Sequence, residues 1–252
     1  MKPKRCNWLF LAFLLVFSFS LVTFAFAADN PNSSGPIRPS TDPVTRRAYD
    51  HFYNLEYDKA IREFEAVQQA HPDDPFAANH LLCALIFKEL FRIGALDSEA
   101  YAGDSFLSKK PLQPLDPKMQ ERIKQLTDKA LALSQARLDK NPKDVDALYA
   151  RGITRGLRST YMGMGQKAWF GALRSAVGAR RDHERVLELD PKYTDVKNIV
   201  GIHLYVLGSL SWPVKVAASV AGLSGNKQKG LEYLREDAAS HGESATDAKV
   251  AL

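Results

Sequence analysis

Arg151, Arg155 and Arg158 stand at offsets 0, 4 and 7, a spacing that puts three guanidiniums on one face of a helix, and Arg174, Arg180 and Arg181 follow on the next helical segment. Guanidinium forks match carboxylates and anionic polymers, so this strip is a candidate anion-recognition surface. Glu63, Glu65, Glu184 and Glu188 are the carboxylates that would supply acid and base for hydrolysis beside it. The bland reading is a solvated helix face whose acids and bases pair with one another. Gly163-Met164-Gly165-Gln166-Lys167-Ala168 matches a G-x-G-x-x-A phosphate loop, but that loop needs a strand before it, and a helical segment precedes this one. A hairpin turn is expected there instead. The six histidines, His51, His71, His80, His183, His203 and His241, include no i, i+4 pair, and no metal or other cofactor is expected. His183 is expected as a packed imidazole and Cys83 as a buried thiol without a catalytic signature. Neither a G-x-S-x-G elbow nor a P-loop occurs.

The elements that must position these residues read as helices. Beyond Asp42, apolar residues recur three and four apart, and no alternating strand pattern interrupts them, so the fold class is all-α. Asp42-Pro43, Asp74-Pro75 and Asp116-Pro117 each offer a capping carboxylate followed by a proline whose missing N–H costs nothing at the first helical position. Three helix starts follow. The segment "GDSFLSKKPLQPLD", residues 103–116, has no helical period and is expected to be a loop. "SWPVKVAASVAGLSG", residues 211–225, is strongly apolar and is expected to be an extra capping helix, while the terminal "ESATDAKVAL" begins a closing helix.

Residues 1–27 read as a signal peptide: Lys2, Lys4 and Arg5 lead, an apolar stretch from Trp8 to Phe26 follows, and Ala25-Phe26-Ala27 fits a cleavage site. The expected location is periplasmic or secreted; the alternative is an inner-membrane anchor formed by residues 8–27 if the leader is retained, the one way in which the membrane becomes a partner. The leader holds three of the +5 charges, leaving +2, which is no nucleic-acid footprint. It also removes Cys6 and leaves Cys83 alone, so the exported chain must be held by its apolar core. Residues 28–42, rich in Pro, Ser and Asn, read as a flexible linker, and 43–252 as the folded domain.

A spacing recurs within that domain. Ala60 stands twelve residues before Pro72, Ala130 twelve before Pro142, Ala179 twelve before Pro191 and Gly230 twelve before Gly242. With Tyr57 and Phe64 in the first copy, the pattern resembles the tetratricopeptide-repeat family, whose unit is a pair of antiparallel helices with a small residue at the crossing. The resemblance assigns helix-crossing roles to Ala60, Ala130, Ala179 and Gly230, and to Ala48, Gly152 and Gly201 on the preceding helices. Successive closing positions lie 70, 49 and 51 residues apart instead of the family's 34, so the resemblance implies a solenoid of about four hairpins with elongated helices and an inserted loop. It implies a groove lined by the first helix of each pair, with Tyr53, Asn79, Phe87, Tyr149, Asn198 and Tyr205 facing it, and hence a non-catalytic scaffold or adaptor that binds a protein or peptide. Alternatives are a helical enzyme acting on cell-wall polymer through a Glu and the arginine strip, and a membrane-anchored subunit of an envelope assembly or transport complex.

Overall fold

The computed structural model describes residues 36–97, 113–209 and 224–252, with the single positions Lys215 and Ser219. The leader, the first part of the linker, residues 103–112 of the loop and the body of the 211–225 segment lie outside the described residues. Among the described residues there are nine helices and no strand: α1 Pro43–Tyr53, α2 Tyr57–Ala70, α3 Pro75–Arg92, α4 Pro117–Lys140, α5 Val145–Thr160, α6 Trp169–Leu189, α7 Val196–Ser209, α8 Lys227–Ala238 and α9 Ala245–Ala251.

The starts are chemical. Asp42 accepts from the Thr45 N–H at 2.8 Å, Asp74 from Phe76 at 2.8 Å and Asp116 from Lys118 at 2.9 Å, and a proline opens each of these helices. Asp144 and Asn226 cap α5 and α8 in the same manner without a proline. Each such cap satisfies an N–H that the helix itself cannot, which is worth about 1 kcal/mol. The Gly163–Gly165 pair lies in a π-type turn, Tyr161–Gly165, that ends α5, and Lys167 then reverses the chain with φ 56°. The helix α5 runs directly into this turn, so the geometry is that of a helix end rather than a phosphate loop.

Every helix packs on the next in the chain, α3 also reaches α5, and α7 also reaches α9. Tight connections such as 54–56, 71–74 and 141–144 force the joined helices to run antiparallel. One apolar cluster, around Phe64, Leu82, Leu85 and Leu90, holds α1 to α4 together; a second, around Tyr149, Val186 and Val196, lies between α5, α6 and α7. Ala48, Ala60, Ala130 and Ala179 are buried where helices meet. Closest of all is α7 on α8, where a Cβ added to Gly230 would stand 2.6 Å from the Tyr205 nitrogen and 2.7 Å from the Gly201 oxygen. Only glycine permits that backbone contact. Gly152 leaves room for the His183 ring, which is fully buried.

The ordered domain begins before α1. Ile37 is buried against Val44, Val67 and Ala77, and its N–H donates to Asp74 at 2.9 Å. Residues 36–42, within the stretch read as a linker, therefore pack on the helices, with a turn at 39–41 leading into α1. The physical reason is one apolar side chain and one charged one, Ile37 and Arg38, inside a stretch whose composition reads as loop.

Candidate functional site

Arg38 enters a box of aromatic rings and carboxylates. Its guanidinium lies 5.0 Å from the Phe76 ring centre, 5.1 Å from Tyr193 and 5.8 Å from Tyr149. It donates to Asp146 at 2.7 Å, to Asp195 at 3.3 Å and to the Tyr193 hydroxyl, which in turn donates to Asp146 at 3.1 Å. Burial works against the charge, yet Tyr193, Asp146 and Glu243 outweigh it and hold the pKa above the ordinary arginine value. The box is saturated: fork, rings and acids are all engaged.

Beside it lies a cavity of about 540 Å³ whose walls come from α1, α3, α5 and α7. α1 supplies Tyr49, Phe52 and Tyr53; α3 supplies Asn79, His80, Cys83 and Phe87; α5 supplies Tyr149, Ile153 and Leu157; α7 supplies Asn198 and Ile199. Tyr49 and Tyr53 stack at 6.0 Å, and Phe87 meets Phe52 edge-on at 5.5 Å. The volume is that of a site for one side chain cluster or one small ligand.

The C-terminal turn and α9 close one edge. Glu243 bonds His80 at 2.6 Å and accepts from Tyr49 at 3.4 Å through the same carboxylate oxygen, while Tyr53 donates to Asp247 at 3.0 Å. Ser244 anchors the turn, donating its hydroxyl to Asp237 at 2.7 Å and its N–H to Asp195 at 3.3 Å. Three buried polar atoms here have no partner: Glu243 Oε2, Asn198 Oδ1 and His80 Nδ1. Enclosure raises the pKa of Asp247 and of Asp195, and burial with neighbouring Asp195 pushes Asp237 up to about 6. Tyr53 is raised too, by burial and then by Asp247.

Five of the six expected groove residues, Tyr53, Asn79, Phe87, Tyr149 and Asn198, line this one cavity; Tyr205 does not, and its ring lies under Lys227 at 5.1 Å. Their states differ. Asn79 donates to the Ala150 carbonyl at 2.8 Å and accepts from Thr154 at 2.7 Å, so it clamps α3 to α5. Tyr149 is buried, stacked on His183 at 5.3 Å and shared with the Arg38 box. Tyr53, Phe87 and Asn198 remain as the cavity-facing set. Cys83 is half-buried on the cavity wall rather than fully buried, and burial, then Asp247 and Glu243, push its thiol well above the ordinary value. That is the reverse of what a nucleophilic thiol needs.

The arginine strip is not three open cations. Arg151 and Arg155 both bond Asp182, each at 2.6 Å, and Asp182 is buried. Their charge is spent tying α5 to α6. Arg158 is exposed and lines a separate cavity of about 490 Å³ between α4 and the end of α5. His183 donates Nε2–H to the Tyr149 carbonyl, 3.3 Å away, and burial pushes its pKa down to about 4, so it is a neutral packing group at neutral pH. Among the described residues no group of three His, Cys, Asp or Glu is placed to hold a metal.

Sequence reasoning missed Arg38, Glu243 and Asp247. The last two stand four apart in "ESATD", a spacing that places both on one side of a helical turn, but nothing local says which face they meet. Comparison with protein-family models, with curated proteins and with solved structures finds no match for this chain.

Proposed function

We propose that the protein is a non-catalytic solenoid of tetratricopeptide-like hairpins that binds a protein or peptide in its groove, as a scaffold or adaptor of the bacterial cell envelope. One observation carries the reading: the face formed by α1, α3, α5 and α7 already holds two pieces of polypeptide, the segment at 36–42 and the C-terminal segment at 243–251, and keeps an aromatic cavity open between them. A surface that accepts two segments of its own chain through backbone, ring and carboxylate contacts has the chemistry to accept a third from elsewhere. The envelope setting rests on the leader-like residues 1–27. The absence of catalysis rests on how the candidate groups are used: the thiol is held protonated, and two of the three strip arginines are engaged internally on the one Asp182 carboxylate.

A photo-crosslinking residue placed at Phe87, in full-length protein expressed in a bacterial envelope, tests this. The expected product is a polypeptide adduct at Phe87 that disappears in an Ile153→Lys background. Adducts confined to lipid or glycan, or polypeptide adducts indifferent to Ile153→Lys, would count against it.

A further inference from the structure

We propose that the open cavity is a recognition pocket for a basic side chain, arginine in preference to lysine, presented by the partner polypeptide. The inference rests on the groove being a polypeptide-binding surface, and it names the chemistry of what enters.

The polar end of the cavity is built of acceptors. Asp247 opens on the cavity, and its only hydrogen bond among the described residues is from the neutral Tyr53 phenol. Glu243 uses one oxygen for His80 and Tyr49 and leaves Oε2 buried without a partner, and Asn198, only 6 % exposed, leaves Oδ1 without one. The nearest arginine, Arg38, is committed to Asp146, Asp195 and Tyr193. An apolar ligand would leave these acceptors unsatisfied, and each buried unmet acceptor costs about 1–3 kcal/mol. An anionic ligand would meet carboxylates. A planar cation with several N–H donors answers both the charge and the missing donors.

The walls suit the rest of such a side chain. Tyr49 and Tyr53 present stacked rings beside the acids, the arrangement that favours a guanidinium over a bare ammonium, and Phe87, Ile153 and Leu157 provide an apolar shaft for methylenes. The molecule supplies its own precedent next door. Arg38 sits among three rings and two carboxylates, and Tyr149 and Asp195 of that box also line the open cavity. The open cavity repeats the same ingredients, and among the described residues no arginine or lysine lines it.

Calorimetric or NMR titration of the full chain with acetylated, amidated Ala-Ala-Xaa-Ala-Ala peptides, where Xaa is Arg, Lys, citrulline or Glu, tests the pocket. Arg is expected to bind best and Lys next, with citrulline weaker than Arg by about tenfold or more because it keeps the shape and loses the charge. Glu is expected not to bind, and the Arg affinity should fall with rising salt. Asp247→Asn should lower Arg affinity by about tenfold. Ile153→Phe, which narrows the shaft without touching a charged group, guards against a folding artefact and should lower binding too. Citrulline binding as well as Arg, or Arg binding unchanged by both variants, overturns the pocket and leaves the groove reading standing if the Phe87 adduct forms. Failure of every peptide in the panel overturns the pocket, and with no Phe87 adduct it overturns the groove reading as well.

Discussion

The groove has two ends made of the same materials. At one, Phe76, Tyr149 and Tyr193 surround the Arg38 guanidinium while Asp146 and Asp195 bond it. At the other, Tyr49, Tyr53, Phe52 and Phe87 surround open space, with Asp247 and Glu243 at its rim and Asn198 and Glu243 oxygens unmatched. The first end spends its aromatic and acidic groups on holding the chain's own N-terminal segment. The second engages its acids only with the Tyr53 and Tyr49 phenols and His80, and keeps unsatisfied acceptors and, in Asp247, a carboxylate whose ionisation the surroundings disfavour. The filled box is structural and should fail by unfolding; the open one is the proposed recognition pocket and should fail by losing a ligand.

Arg38→Met cuts the comparison at its stronger half. It leaves Asp146 and the buried Asp195 without their cation, and breaking a buried pair from one side typically costs about 3–5 kcal/mol. A denaturant midpoint near that of the unaltered chain would show that the box does not hold the segment. Arg38→Lys keeps the charge, loses the fork, and should fall between the two.

Next in size are changes at helix crossings, which both ends depend on. Gly230→Val forces α8 off α7 and displaces Asn198 and the Ser244 turn together, with an expected loss of about 1–3 kcal/mol from overpacking. Ala179→Phe, at a 1 % exposed site on α6, should cost a similar amount, about 1–3 kcal/mol. Thermal melts of both variants give the comparison, and unchanged melting temperatures would contradict the tight crossings.

A pH series sharpens the contrast further, because Asp237, which holds the Ser244 turn at the edge of the open end, is the acid held at about 6. Asp237 binds its proton more tightly in the folded chain than at the ordinary value of 3.8, so its contribution to stability is fully present below 3.8 and is lost as pH rises through about 6. Asp237→Asn should therefore melt higher than the unaltered chain at pH 8, with the gap narrowing on acidification to pH 5. A gap that widens in acid would reverse the assigned direction. The opposing group is His183, held down at about 4, whose contribution fades as pH falls below 6.5 in both chains alike and so cancels from the difference.

The smallest effect on stability is expected where the effect on binding is expected to be large. Asp247→Asn changes a carboxylate that has no cation among the described residues and should move the melt by no more than about 0.5 kcal/mol in equivalent stability. A loss on the scale of Arg38→Met would place Asp247 in the structural half of the comparison.

How much of this was legible depends on sequence separation. The caps of α1, α3 and α4 were readable because donor and acceptor lie two or three residues apart. The phase of the lining helices was readable because buried alanines and glycines fix which face turns inward, and it brought Tyr53, Asn79, Phe87, Tyr149 and Asn198 to one cavity. Tyr205, assigned by the same phase, is drawn instead to Lys227, at the start of a helix whose backbone α7 meets at Gly201 and Gly230. The arginines at 151 and 155 read as a surface strip because Asp182, which bonds both of them, is 31 and 27 residues away on α6.

The sequence by itself determined an all-helical chain, where three of its helices begin, and which small side chains lie buried at helix contacts, because each of those follows from interactions within a few residues or from a repeating period. Tertiary structure alone decided that Arg38 meets Asp146 and Asp195 across 108 and 157 residues and that Glu243 and Asp247 return to His80 and Tyr53 across 163 and 194. Those pairings obey no period. They exist because stacked helices bring the 36–42 segment and the 243–251 segment to one face, where charge and aromatic surface find each other without any local signal in the chain.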